Sequence, residues 1–173
     1  HSIRRRQRQM CIRDRENIAK ETEYFALQNK SVEQVQAAST GYSKTEIHLC
    51  ATNGFNGGYS KTSFSNSCVA IARSQAGLER DYDGDVRIFK SDLRSPEEIG
   101  LLAAKRAVSR LEARKPKTGV YPVVFDERIS SSLIGHLLSA TNGAAVARGT
   151  SWMLNSRGSV VLPENLSIIE DPH

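Results

Sequence analysis

The stretch Thr45-Glu46-Ile47-His48-Leu49-Cys50-Ala51, followed by Thr52-Asn53-Gly54-Phe55-Asn56-Gly57-Gly58, decides the reading of the fold. Its first half alternates, with Ile47, Leu49 and Ala51 on one side of an extended chain and Glu46, His48 and Cys50 on the other. That period of two is the mark of a strand with unlike faces. Its second half is rich in Asn and Gly, which tolerate positive φ and let the chain reverse. From Lys61 to Ala72 a Ser- and Thr-rich run leads into Cys68-Val69-Ala70-Ile71-Ala72, the pattern of a return strand in a sheet with one wetter face. A β-hairpin between about Thr40 and Ala72 is therefore expected. A glycine loop that cradles phosphate opens a helix; here a strand follows, which favours the turn.

Downstream, Glu79-Arg80-Asp81-Tyr82-Asp83-Gly84-Asp85 reads as a charged, solvated loop. Its acids depart from the calcium-loop spacing and lack the closing Glu. Ser95-Pro96-Glu97-Glu98 is a capping box with proline at the first helical position. Ile99, Leu102, Ala103, Ala107 and Leu111 continue it as a core-facing stripe, with Arg106, Arg110 and Arg114 as a basic outer row and Pro116 as the stop. Val120–Phe125, Val160–Leu162 and Leu166–Ile169 have the composition of short strands. Between them a helix is expected from about Glu127 to Ala140, ended by Asn142-Gly143, with a loop at Gly149–Ser151 and a turn at Asn155–Gly158. The fold class is α+β: helix, β-hairpin, helix, then mixed strands and helix.

Upstream, Glu16 to about Ala38 reads as helical, with Ile18, Thr22 and Phe25 on one face, Leu27 beside them, and a break at Asn29–Ser31. Before it, Met10-Cys11-Ile12-Arg13-Asp14-Arg15 resembles a translation of the transposon-end adapter used in sequencing libraries. The Arg/Gln alternation ahead of that run has neither a helical nor a strand period. Residues 1–15 are therefore expected to be an assembly artefact or a disordered leader.

That expectation matters for the charge. The chain carries a formal net charge of +5. Setting aside the six arginines and one aspartate of residues 1–15 leaves 18 basic and 18 acidic side chains. A neutral body offers no strong attraction to a phosphate backbone, so no nucleic-acid partner is expected. No run approaches the roughly 20 apolar residues of a membrane span and no secretory pattern is present, so neither is a membrane, and the expected location is the cytoplasm. Outside the leader, which holds Cys11, the spacing of Cys50 and Cys68 fits no zinc or redox motif, and both are expected to be free buried thiols.

For catalysis the residues alone offer little. His48 lies in a strand and His1 and His173 are terminal, which leaves His136 in a helix beside Ser131 and Ser132. A serine hydrolase would need an orienting acid and a nucleophile elbow, and neither is evident. A catalytic zinc takes three protein ligands and an open position.

A collinear series of short motifs adds to this. Gly54-Phe55 with Gly57-Gly58-Tyr59, Glu79-Arg80-Asp81-Tyr82, Ser95–Gly100, Ala113-Arg114-Lys115, Val123–Asp126, Gly135-His136-Leu137, Gly143–Arg148, Gly149-Thr150-Ser151, Leu162-Pro163-Glu164 and Asp171-Pro172-His173 follow one another in order. Together they resemble the TldD/PmbA family, specifically its TldE/PmbA-type branch, over nearly all of residues 16–173. The resemblance implies an internal fragment in which residues 16–115 are the closing portion of an N-terminal α/β domain and residues 116–173 the start of a C-terminal domain. It also implies a bacterial-type cytoplasmic heterodimer that cleaves short or unfolded peptides. Catalytic, TldD-type subunits carry HExxxH on the helix that corresponds to the one around His136. Ser131 stands at the first histidine's place, Ser132 at the glutamate's, and His136 at the second histidine's. The resemblance thus implies a degenerate motif, no catalytic residue, no metal or other cofactor in this chain, and zinc in a TldD-type partner. It does not identify the substrate-binding residues. The alternatives are an active metallopeptidase of the same family and a nucleic-acid-binding module that uses the arginine-rich leader.

Overall fold

Ile99, Ala103, Ala104 and Ala107 are the centre of the core, fully or almost fully buried on one face of α2 (Pro96–Ser109). The helix begins as the sequence requires. Ser95 accepts a hydrogen bond from the Glu98 N–H while Glu98 accepts one from the Ser95 N–H, and Pro96 follows the cap. It ends at Ser109, seven residues before Pro116 rather than at the proline, and Glu112 beyond it has φ of 62°. The computed structural model describes residues 2–169 and 171, with side chains from residue 12 onward. His1, Pro172, His173 and the side chain of Cys11 lie outside the described residues.

The chain divides into two units, His1–Pro116 and Lys117–His173. In the first, α1 (Ser2–Ala26) and α2 lie on one face of an antiparallel sheet of order β1-β2-β3, formed by Val32–Cys50, Asn56–Ser74 and Gly77–Arg87. α1 includes the residues expected to be a disordered leader, and its face of Ile18, Thr22, Phe25 and Ala26 is turned inward while Leu27 is exposed. The expected hairpin is present with its alternation intact, but its turn is tighter than the sequence implies. The turn spans Ala51–Phe55, with Gly54 at φ of 91°, and Gly57 and Gly58 already belong to β2.

Two elements depart from expectation. Val32–Ala38 is strand, not helix. The residues withdrawn from solvent there are Val32, Val35 and Ala38, a spacing of three that imitates a helix. Register shifts between Val32/Gln34 and Val35/Ala37 explain it, because each extra residue in a bulge breaks the period of two. The acidic run Glu79–Asp85 is the middle of β3, not a loop.

A buried polar relay ties α1 to the sheet. Asn66 is fully buried, donates to Thr22 Oγ1 at 2.9 Å and accepts from Thr40 Oγ1 at 3.1 Å, while Thr22 donates in turn to the Ile18 carbonyl at 2.8 Å. Such a network removes the desolvation cost of a central Asn by giving each side-chain polar atom a partner. Cys68 is buried and burial pushes its thiol up to about 11, whereas Cys50 is exposed, contrary to the expectation for it.

The second unit holds α3 (Glu127–Thr141) and a short α4 (Gly143–Ala147). The three segments expected as strands pair with nothing among the described residues and are irregular. Their composition suits a sheet, but a strand exists only where a neighbour takes up its backbone donors and acceptors. No described helix is long and apolar enough to cross a membrane.

Candidate functional site

α3 carries the three positions singled out from sequence. Asp126 caps it by accepting from the Arg128 N–H at 3.0 Å, and Asn142 both ends it and caps α4 through the N–H groups of Ala144 and Ala145. Near its end, Ser151 donates to the Ala140 carbonyl at 2.5 Å and accepts from the Met153 N–H at 2.9 Å, so the loop after α4 is folded back on the helix. Among the described residues of this unit, Ala140, Ser151 and Met153 are buried.

Ser131, Ser132 and His136 are all exposed. Ser132 and His136 are four residues apart and share a face, whereas Ser131 is turned about 140° from His136 at roughly 100° per residue. Among the described residues, no three His, Cys, Asp or Glu side chains gather where they could hold a metal ion.

The strongest electrostatic grouping lies in the first unit. Along β3, Glu79, Asp81, Asp83 and Asp85 point to the helix-covered face. Opposite them stand Arg110 and Arg106 of α2 and Arg94 just before it. Arg110 approaches Asp81 and Glu79 at 3.6 Å each, Arg94 Nη1 lies 2.9 Å from Asp83 Oδ2, and Arg106 bonds Asp83 Oδ1. The match is geometric, since alternate strand residues are about 6.6 Å apart and helix residues one turn apart about 6 Å. Arg106 and Arg110 are therefore not an outer row; they face the sheet.

Asp85 sits at the edge of this ladder. Burial alone would raise its carboxyl, but the Arg94 N–H at 3.0 Å and the side chains of Arg87 and Arg94 outweigh it and hold the group below the usual carboxylate range. The Asp83 carboxylate raises Arg94 further above its ordinary value. With arginine set against each acid, the run is a zipper between strand and helix, not a cation loop.

A smaller grouping at the hairpin tip was not evident from sequence. His48 Nε2 lies 2.7 Å from Asn56 Oδ1, and Cys50 Sγ donates to the same oxygen at 3.6 Å. His48 and Cys50 sit two residues apart on one face of β1, and the Cys50↔Asn56 pairing brings the third side chain to them. All three are exposed, and the two candidate reactive groups each meet Asn56.

Comparison with known proteins places these features in a family. Residues 8–111 match the PmbA/TldA metallopeptidase central domain, and residues 118–173 match the PmbA/TldA metallopeptidase C-terminal domain. The chain is 38% identical over 122 residues to the metalloprotease PmbA of Escherichia coli O157:H7, covering 70% of this chain and 27% of that protein. It is 36% identical over 115 residues to a metalloprotease PmbA homolog of Buchnera aphidicola, covering 66% of this chain and 26% of the relative. The chain thus spans about a quarter of the length of the curated relatives it matches.

Two solved structures share the fold. A candidate modulator of DNA gyrase from Bacteroides thetaiotaomicron is 28% identical with a TM-score of 0.75, over 83% of this chain and 33% of that one. A second, from Thermotoga maritima, has a TM-score of 0.76 at 21% identity over 84% of this chain and 33% of that one, and supports the fold alone.

Proposed function

The chain belongs to the PmbA/TldD metallopeptidase family, and we propose that it acts there as a TldE/PmbA-type, non-catalytic subunit that supports a zinc-bearing TldD-type partner in cleaving short or unfolded peptides in the cytoplasm. The observation that carries this reading is the pair Ser131-Ser132 ahead of His136 on α3. By the family resemblance, catalytic subunits place a histidine and a glutamate at those two positions. A neutral hydroxyl is a poor zinc ligand beside imidazole or thiolate, and serine has no carboxylate with which to take a proton from metal-bound water. The three side chains do not fit a catalytic zinc, so bond cleavage is assigned to the partner. This chain's part is to complete the enclosed site and present the peptide.

The test is cleavage of a short unstructured peptide by the complete protein alone, and mixed with its TldD-type partner, each with and without zinc. Activity is expected only in the mixture and only while the partner keeps its motif glutamate. Zinc-dependent cleavage by this protein alone would overturn the reading. A second reading, an active metallopeptidase, draws support from the name metalloprotease borne by the curated relatives. It requires zinc bound by this chain itself and lost on His136→Ala, which metal analysis of the purified protein decides.

A further inference from the structure

We propose that the cavity framed by α1, the β1–β2 ribbon and the segment before α2 receives one large apolar side chain of a peptide; this rests on the peptide-processing reading above and gives it a substrate preference. The cavity measures about 310 Å³, and its apolar walls are Ile18, Tyr42, Phe64 and Leu93. Ligand pockets commonly run from about 300 to 1,000 Å³, so this one suits an aromatic or branched side chain with its flanking backbone, not an extended cofactor.

The position of the aromatic pair is the central observation. Tyr42 and Phe64 are cross-strand partners with ring centroids 4.8 Å apart. They stand on the helix-covered face, one inward-facing pair beyond Thr40↔Asn66, where the buried core stops. β3 also begins its pairing at Phe64, so from here outward the ribbon has two strands only. The apolar surface of the sheet therefore continues past its last buried pair, beside Ile18 of α1. Tyr42 remains 45% exposed as a result.

Charge narrows the class of ligand. Asp14, Arg15 and Lys90 also line the cavity, mixed in sign, whereas its aromatic and aliphatic walls offer no charge. Pressing a charged side chain against those four walls costs desolvation. An apolar one gains the transfer free energy of its own surface. The four apolar walls lie outside residues 1–15, while Asp14 and Arg15 close part of the α1 side.

The experiment uses the complete protein and two capped hexapeptides that differ only in a central Phe or Ser. Binding is followed by fluorescence anisotropy, and KM is measured in the complex with the TldD-type partner. The Phe peptide is expected to bind about tenfold to a hundredfold more tightly. Leu93→Trp, which fills the cavity, should reduce it to the level of the Ser peptide. Leu78→Trp, on the opposite face of the sheet, should leave the preference unchanged.

Equal binding of the two peptides, or a preference that survives Leu93→Trp in a protein with an unchanged melting curve, would overturn the proposal. A measurement on the unmodified protein guards against a misfolded variant: a spin-labelled Phe peptide should broaden the ring resonances of Tyr42 and Phe64 first, and broadening centred elsewhere would refute the site. The two readings fail separately. A mixture that cleaves both peptides with one KM sinks the pocket and leaves the subunit role. A mixture that cleaves neither sinks the subunit role, while binding and broadening still decide the pocket.

Discussion

α2 and α3 contain 14 and 15 residues, and each opens on a side-chain cap, Ser95 for one and Asp126 for the other. Their fates differ. α2 buries Ile99, Gly100, Ala103, Ala104 and Ala107, whereas α3 buries only Ala140 and leaves Ile129, Leu133 and Leu138 more than 40% exposed. α2 has the fuller cap, a reciprocal box where α3 has Asp126 alone, but a cap acts on the first turn and does not explain the contrast in burial along the helices. What α2 has is a three-stranded sheet and a second helix to pack against; α3 has α4 and the loop that returns through Ser151. Most of a helix's stability comes from such tertiary burial, not from propensity.

The contrast breaks most sharply at the zipper. Asp83 is almost wholly buried between Arg94 and Arg106. Asp83→Ala removes the acid that both cations meet, and removing one partner of a buried pair typically costs about 3–5 kcal/mol. Hydrogen exchange resolved by peptide should show β3 and α2 opening far more often, with α3 unchanged. Equal loosening of both units would mean that they unfold as one.

A second break comes at Gly100, where α2 crosses α1. A Cβ there would lie 2.9 Å from Phe25 Cβ and 3.0 Å from the Ala26 nitrogen. Gly100→Ala should therefore destabilise the first unit by about 1–3 kcal/mol, the usual cost of overpacking, in spite of alanine's better helix propensity. A urea titration followed by far-UV dichroism measures it, and an unchanged or raised midpoint would show that α1 can move aside.

The zipper and the core also set a pH window. The folded pKa of Asp85 is depressed, so its contribution is present above the unfolded value of about 3.9 and is lost as pH falls through the folded one. Cys68 works at the other end. Its thiol is pushed up to about 11 by burial, so the fold is favoured while the thiol stays neutral and loses stability as pH rises from the ordinary 9.0 to that value. Stability of the first unit should therefore be flat between these limits and fall on both sides. In Cys68→Ala the alkaline fall should shrink; an unaltered fall would assign it to another group.

How much of this could be read from the sequence depended on whether local pattern and tertiary contact agreed. The hairpin was legible because Ile47 and Leu49 alternate with His48 and Cys50 without interruption. β1 upstream was not, since two bulges space Val32, Val35 and Ala38 three apart. β3 was hidden for a different reason. Its inward face is Asp81 and Asp83, and hydropathy cannot register a buried face whose charge is cancelled by Arg94, Arg106 and Arg110, all outside the strand. In the second unit the error ran the other way, because strand composition at Val120–Phe125 and Leu166–Ile169 promised pairing that the described residues do not contain. Ser131, Ser132 and His136 drew attention first as hydroxyls beside a helical histidine, and only the family resemblance gave each of them a role. Tyr42 and Phe64 meet only because the register sets them opposite one another.

The smallest effect is also the most direct comparison of the two helices. Gly135 lies in the middle of α3, and nothing stands within 4 Å of a Cβ built there. Only intrinsic propensity then acts, and alanine exceeds glycine by about 0.8–1.0 kcal/mol inside a helix. Gly135→Ala should therefore stabilise α3, with amide protection rising roughly fourfold to fivefold for that free-energy difference, where Gly100→Ala destabilises α2. The opposite signs come from one cause, the presence or absence of a neighbour at the glycine. Repeating the measurement in the complex with a TldD-type partner sharpens the test. If the exposed face of α3 is where that partner packs closely, the gain should vanish or reverse on assembly. A gain that persists unchanged would place the partner elsewhere and leave α3 open on that side.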